Sequence, residues 1–257
     1  MKRILFHTFC SSGALSPYPA KSIFYIDNTL LVSSGSEIIF IKNQIEIKSK
    51  CTPVSINKIW GTSSSDLYIV GNGGMIAHYD GKGWTRIGSG TDLNIQDIWG
   101  SVNPFTGETE ILCVASDIYY NRGSKLLKIK HKKVTEINKN GLSWSLSGVW
   151  FMSGLKYIVV GDGVNIYNKN NKSWMEIPEF PKFFTFGISG ASPNNIFVCG
   201  SSGLLGHFNG NTWKNYRGRE TPAIDGEYLK CDNIENIMVA CGYIQNRAAL
   251  ILGRREK

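Results

Sequence analysis

The sequence predicts an all-β fold: a six-bladed β-propeller of four-stranded antiparallel blades, closed by the N-terminal strand. Three observations carry this. A tryptophan and glycine pattern returns at fixed spacing, each repeat reads as four short strands, and no amphipathic helical segment competes.

The spacing comes first. Trp60 and Trp99 stand in near-identical settings, NKIWG and QDIWG, and Trp150 stands in SGVWF. Trp60 lies 11 residues before Gly71, and Gly71 lies 13 before Trp84. The same 11 and 13 separate Trp150, Gly161 and Trp174, and again Ser189, Gly200 and Trp213. Phe24 stands 11 before Gly35, and Tyr228 stands 39 after Ser189, as Trp99 does after Trp60. The expected repeat anchors are therefore Phe24, Trp60, Trp99, Trp150, Ser189 and Tyr228. The one long interval, from Trp99 to Trp150, holds the insertion NPFTGETE (residues 103–110) and a lysine-rich stretch.

Within a repeat the elements follow in order. NKIWGTS reads as a short strand, and SSSD as a turn whose side chains cap local amides. LYIVG is an apolar second strand, and NGG a tight turn suited to positive φ. MIAHYD is a third strand, GKG turns again, and WTRI is the fourth. NNIFVCG, SSG, LLGHFN, GN and TWKNY repeat that order. Four short strands in about 40 residues is the pattern of a propeller blade. The expected blades lie near 21–57, 58–97, 98–147, 148–187, 188–226 and 227–257. The last offers only three strands, so residues 2–9 (KRILFHTF) are expected to supply its fourth and join the ends.

Composition fits one such domain. Hydrophobic residues make up 42% of 257, enough to bury a core, which excludes a disordered polymer. No run of about 18 apolar residues occurs, so no membrane-spanning helix is expected. Cys113, Cys199 and Cys241 lie in apolar runs and there is no CxxC pair, so buried thiols and a cytoplasmic location are expected. The start, MKRILFHTFCSSGALS, leaves a secreted or periplasmic location as the alternative.

The segment IWGTSSSDLYIVGNGGMIAHYDGKGW resembles bacterial propeller repeats of the form VWGSS-ND-VYAVG-GG-ILHYDG-W. These are similar to kelch-like, Asp-box-like and photosystem II assembly-factor-like propellers. The resemblance is strong over 58–100, clear over 148–214 and weak elsewhere. It implies a propeller and, commonly, binding rather than catalysis. The Asp-box itself is not met, because Asp80 precedes Trp84 by four residues rather than five. None of the eight arginines falls in an expected inner strand, as a sialidase-like carboxylate clamp needs.

Repeat residues serve the fold, so function is sought where the repeat is broken. The recurring Trp60, Trp84, Trp99, Trp150, Trp174 and Trp213 read as packing between blades, and His78 and His207 as repeated hydrogen-bonding positions. No HxH or HExxH spacing, nucleophile elbow or phosphate loop occurs, so no metal, cofactor or catalytic residue is assigned. Asp97 and Glu227 form an acid/base pair only if they face each other. Fourth-to-first-strand loops share a face with second-to-third-strand turns. That face is expected to gather Trp144, Phe183, Phe184, Tyr243 and Arg247. Exposed aromatics beside an arginine suit a protein partner, and glycan stacking is the alternative. Lys125, Lys128, Lys130, Lys132 and Lys133 form a basic patch that offers nucleic-acid contact as a third reading.

Overall fold

The computed structural model describes residues 20–254, apart from 44, 119–122, 219–220, 222–224 and 246. It is a six-bladed β-propeller with no helix among the described residues. Blade 1 is β1 (Ile23–Ile26), β2 (Thr29–Ser34), β3 (Glu37–Lys42) and β4 (Ile45–Cys51). Blade 2 is β5 (Lys58–Ser63), β6 (Asp66–Val70), β7 (Ile76–Tyr79) and β8 (Trp84–Ile87). Blade 3 is β9 (Ile95–Val102), β10 (Thr109–Ser116), β11 (Ser124–Lys130) and β12 (Lys133–Ile137). Blade 4 is β13 (Leu146–Met152), β14 (Lys156–Gly161), β15 (Gly163–Asn168) and β16 (Ser173–Glu176). Blade 5 is β17 (Thr185–Ser192), β18 (Asn195–Gly200), β19 (Leu205–Phe208) and β20 (Trp213–Asn215). Blade 6 is β21 (Gly226–Ile234), β22 (Ile237–Ile244) and β23 (Arg247–Arg254). Strands within each blade pair antiparallel in chain order.

The inner strands β9, β13 and β17 begin two or three residues ahead of the blade starts expected at 98, 148 and 188. The expected closing strand, residues 2–9, lies outside the described residues. So does the rest of the N-terminal stretch read for compartment.

In blades 2 to 6 a buried residue marks the opening of the inner strand, at its first position or within two residues of it: Ile56, Ile95, Leu146, Thr185 and Tyr228. In blades 4, 5 and 6 the first of these precedes a bulge, at Leu146/Gly148, Thr185/Gly187 and Tyr228/Lys230. That register corrects one anchor. Trp150 and Ser189 stand four residues after the opening residue, and so does Asp232 in blade 6. Tyr228 is the opening residue instead. The connection from β20 to β21 is longer than its counterparts and displaces the frame, and an aromatic happened to fall on the expected position.

The anchors knit successive blades. A Cβ on Gly100 would stand 2.2 Å from the Trp60 ring, and one on Gly190 2.4 Å from the Trp150 ring. Only glycine lets the neighbouring backbone approach an indole that closely. Trp99 donates its Nε1–H to the Phe151 carbonyl at 3.1 Å, and Trp150 to the Gly190 carbonyl at 2.8 Å. In blade 5, where serine replaces tryptophan, the Ser189 hydroxyl donates to Asp232 at 2.6 Å. The result is an apolar core between each pair of consecutive blades from 1 to 6.

Candidate functional site

The repeat histidines are tied into the fold. His78 Nε2–H donates to the Asp66 carboxylate at 2.6 Å, and His207 Nε2–H to the Asn195 side-chain oxygen at 2.9 Å. Each acceptor sits at the start of its blade's second strand, and each imidazole packs on a ring of that strand, Tyr68 or Phe197. Trp60, Trp150 and Trp174 are buried, and Trp84, Trp99 and Trp213 are half-buried against the cores. The repeat aromatics are thus engaged in packing.

The face formed by fourth-to-first-strand loops and second-to-third-strand turns carries the sequence-selected residues. Its loops are laced together. The Ser143 hydroxyl donates to the Asp162 carbonyl at 2.8 Å, and Asp162 bridges to Phe184. The Ser201 amide donates to the Phe184 carbonyl at 2.8 Å, and Ser201 bridges to Glu227. The Tyr243 hydroxyl then donates to the Glu227 carboxylate at 3.0 Å. This arc runs from the neighbour of Trp144, across blades 4 and 5, to Tyr243 at the end of β22.

Along the arc, exposure differs. Trp144 is 48% exposed, Tyr243 and Arg247 are exposed, and Phe183 and Phe184 are half-buried. Phe180 is the residue that plugs the blade 4–5 interface: it is buried edge-on to Trp213, and a Cβ on Gly206 would meet its ring at 2.3 Å. Phe183 carries a second contact that residue type alone did not indicate. The Arg217 guanidinium sits over its ring at 4.8 Å and donates from Nε to the Ser202 carbonyl at 2.5 Å. This fixes a cation on an aromatic at the middle of the arc. The RGR run was the only sequence signal for it.

Asp97 and Glu227 do not form a pair. They lie on β9 and β21, three blades apart. Asp97 is buried, accepts the Val149 amide at 3.0 Å and stands 3.8 Å from the Lys58 ammonium. Glu227 is engaged by Tyr243. Among the described residues no group of three or more His, Cys, Asp or Glu is placed to hold a metal ion. Cys113 and Cys199 are buried, and burial pushes both thiols well above their usual range. Cys241 is exposed, contrary to its apolar setting, because it pairs with Lys230 on the blade 6 face turned away from blade 5.

The basic patch is largely paired. Lys125 contacts Glu136 at 3.0 Å, Lys128 contacts Glu110 at 2.6 Å, and Lys130 contacts Glu108 at 3.0 Å. Two of these glutamates come from the insertion, folded back beside β11. Phosphate recognition requires cations that are not already matched by carboxylates, so the patch does not support a nucleic-acid site. Glu110 is also held by the Ser153 and Tyr157 hydroxyls, at 2.6 and 2.8 Å. Burial alone would raise its carboxyl, but these donors and Lys128 outweigh it and leave it below the usual range. The insertion also leaves Phe105 75% exposed on the opposite face, close to Gly154, a feature that residue type alone did not single out.

No family model matches the chain, and no curated protein matches it in sequence. Solved structures do. YCF48 bound to D1 peptide superposes with a TM-score of 0.65 at 14% identity, over 93% of this chain and 78% of that one. The WD40 repeats of RRP9 give 0.66 at 7% identity, over 93% and 80%. The C-terminal WD40 domain of Sif2 gives 0.62 at 12% identity, over 93% and 70%. At these identities the likeness is one of fold: the chain shares the β-propeller architecture of WD40 and related proteins.

Proposed function

We propose that this propeller is a non-catalytic scaffold that binds a protein partner on its loop face. Trp144, Phe183, Phe184, Tyr243 and Arg247 are the contact residues, and Arg217 holds Phe183. The supporting observation is the arc itself. Its exposed aromatics, Trp144 on a loop and Tyr243 at the end of β22, lie outside the packing repeat, on segments bonded to one another across three blades. A preorganised surface of this kind loses little conformational entropy on binding, and aromatic and arginine side chains dominate interface energetics. YCF48, similar in fold, is seen with a peptide. The repeat form, akin to photosystem II assembly-factor-like propellers, fits the same reading.

The test compares capture of partners by the wild type and by a Trp144→Ala, Phe184→Ala variant, with fold checked by circular dichroism. A control variant, Phe105→Ala, alters the opposite face. A protein held by wild type and control but lost by the loop-face variant supports the proposal. A protein held equally by all three, or lost only with Phe105, counts against it.

A further inference from the structure

The Arg217 guanidinium is fixed at two points and has donors to spare. Its Nε–H goes to the Ser202 carbonyl, and its carbon stands over the Phe183 ring. The backbone beneath it is closed on itself. The Arg217 amide donates to the Asn215 side-chain oxygen at 3.0 Å, the local bond expected of an asparagine at a turn. The Thr221 amide donates to the Tyr216 carbonyl at 3.1 Å, and the Gly218 amide to the Thr221 carbonyl at 2.7 Å. Gly218 supplies the positive φ, +72°, that this tight return needs. The ring under the guanidinium is held too, because the Phe183 amide donates to the Pro181 carbonyl at 2.7 Å. Arg217 is half-buried as a result.

Neither Nη nitrogen has a partner among the described residues, and no described carboxylate pairs with this guanidinium. The lysines of β11 differ, since Glu136, Glu110 and Glu108 match them. Arg86 differs as well, because it spends an Nη on the Pro53 carbonyl. On the arc, the Glu227 carboxylate takes the Tyr243 hydroxyl, and Asp162 joins through its backbone amide and carbonyl. Tying the Ser202 turn to the Arg217 loop takes one donor, which glutamine or lysine could also supply. The Nη pair exceeds that task. A guanidinium held by its Nε and its face loses little freedom when the remaining donors pair.

We infer that Arg217 reads an acidic segment of the partner: its two Nη donors take one aspartate or glutamate carboxylate, and the apolar neighbours of that residue meet Phe183 and Phe184. This rests on the loop-face reading and names the chemistry that the face selects. An end-on guanidinium edge matches the two oxygens of a carboxylate, and such charge-assisted pairs are the stronger hydrogen bonds. Arg247, exposed at the far end of the arc and unmatched by a described carboxylate, adds charge of the same sign. The aromatic floor continues past Phe183, with the Phe184 and Phe186 rings 4.9 Å apart. A phosphate would also fit the fork, so the experiment separates the two.

The test uses an array of short peptides blocked at both ends and probed with the labelled full chain. Each peptide carries one central aspartate, glutamate, asparagine, glutamine or phosphoserine, flanked by tryptophan, tyrosine, leucine or glycine. Wild type should hold the acidic peptides about tenfold more tightly than their amide counterparts. Arg217→Gln, which keeps a donor for the Ser202 carbonyl, should abolish that preference. Arg217→Lys, which keeps the cation beside Phe183 but lacks the fork, should reduce it by about threefold or more. Circular dichroism checks the fold of both. A preference unchanged in either variant overturns the inference, as does one lost with Arg247→Gln alone. Tighter binding of phosphoserine than of aspartate or glutamate overturns it in favour of a phosphorylated partner. Equal binding of acidic and amide peptides by wild type also overturns it, and leaves the loop-face reading standing where Trp144→Ala removes that binding. An acidic preference that depends on Arg217 supports the inference even where the capture experiment returns no protein.

Discussion

The Trp150 indole lies against Gly190 of the next blade and donates its Nε1–H to the Gly190 carbonyl at 2.8 Å. One residue type supplies the wedge and the other the space. The two are therefore coupled across a blade interface.

Removing either side should unfold the ring more easily. Trp150→Ala is expected to cost about 3–5 kcal/mol, as for other buried large aromatics. Gly190→Ala places a methyl group inside the Trp150 ring and is expected to cost about 1–3 kcal/mol through overpacking. Denaturant unfolding with fixed slope measures both. Equal stability of Gly190→Ala and wild type would show that the indole has room to move.

The two histidine pairs supply an internal control. Blade 2 uses Asp66 where blade 5 uses Asn195, and both accept from a strand-three histidine. Asp66→Asn should therefore stay within about 0.5 kcal/mol of wild type. Asp66→Ala, which strips the acceptor from the buried His78, should cost about 1–3 kcal/mol. Thermal melts of the two variants distinguish these outcomes.

Acid should weaken the blade 3–4 contact through Glu110. Its carboxyl is held below the usual range in the folded chain, so it contributes stability that is present above the unfolded carboxyl pKa. That contribution is lost as pH falls through the depressed folded value. Glu110→Gln should therefore be less stable than wild type at pH 7 and approach it at pH 3. A stability difference that does not shrink on acidification would contradict this account of the network.

The sequence made the blades legible because their packing depends on rare, size-sensitive residues. Trp60 needs Gly100, and Trp150 needs Gly190, so both members of each contact leave a fixed spacing. Blade 6 was less legible. Ser189 meets Asp232 there, a small polar contact that carries no such signature, and Tyr228 stood in the expected place. The lysine patch misled for a similar reason. Its partners Glu108 and Glu110 arrive through the register of the insertion, and residue order alone does not show that they lie beside β11. On the loop face, Trp144 could be picked out as the tryptophan outside the repeat, whereas the stacking of Arg217 on Phe183 depends on how two loops fold together.

Trp144 should matter to binding and not to folding. It is half exposed and belongs to no blade core, so Trp144→Ala should change stability by no more than about 0.5 kcal/mol. A larger loss in a denaturant melt would assign the ring to packing.

The most direct test of the loop-face account places a photo-crosslinking residue at Trp144, at Tyr243 and, on the opposite face, at Phe105, in three otherwise native chains. The account predicts that Trp144 and Tyr243 cross-link to the same protein, and that Phe105 does not. Cross-linking of that protein through Phe105 alone would contradict it.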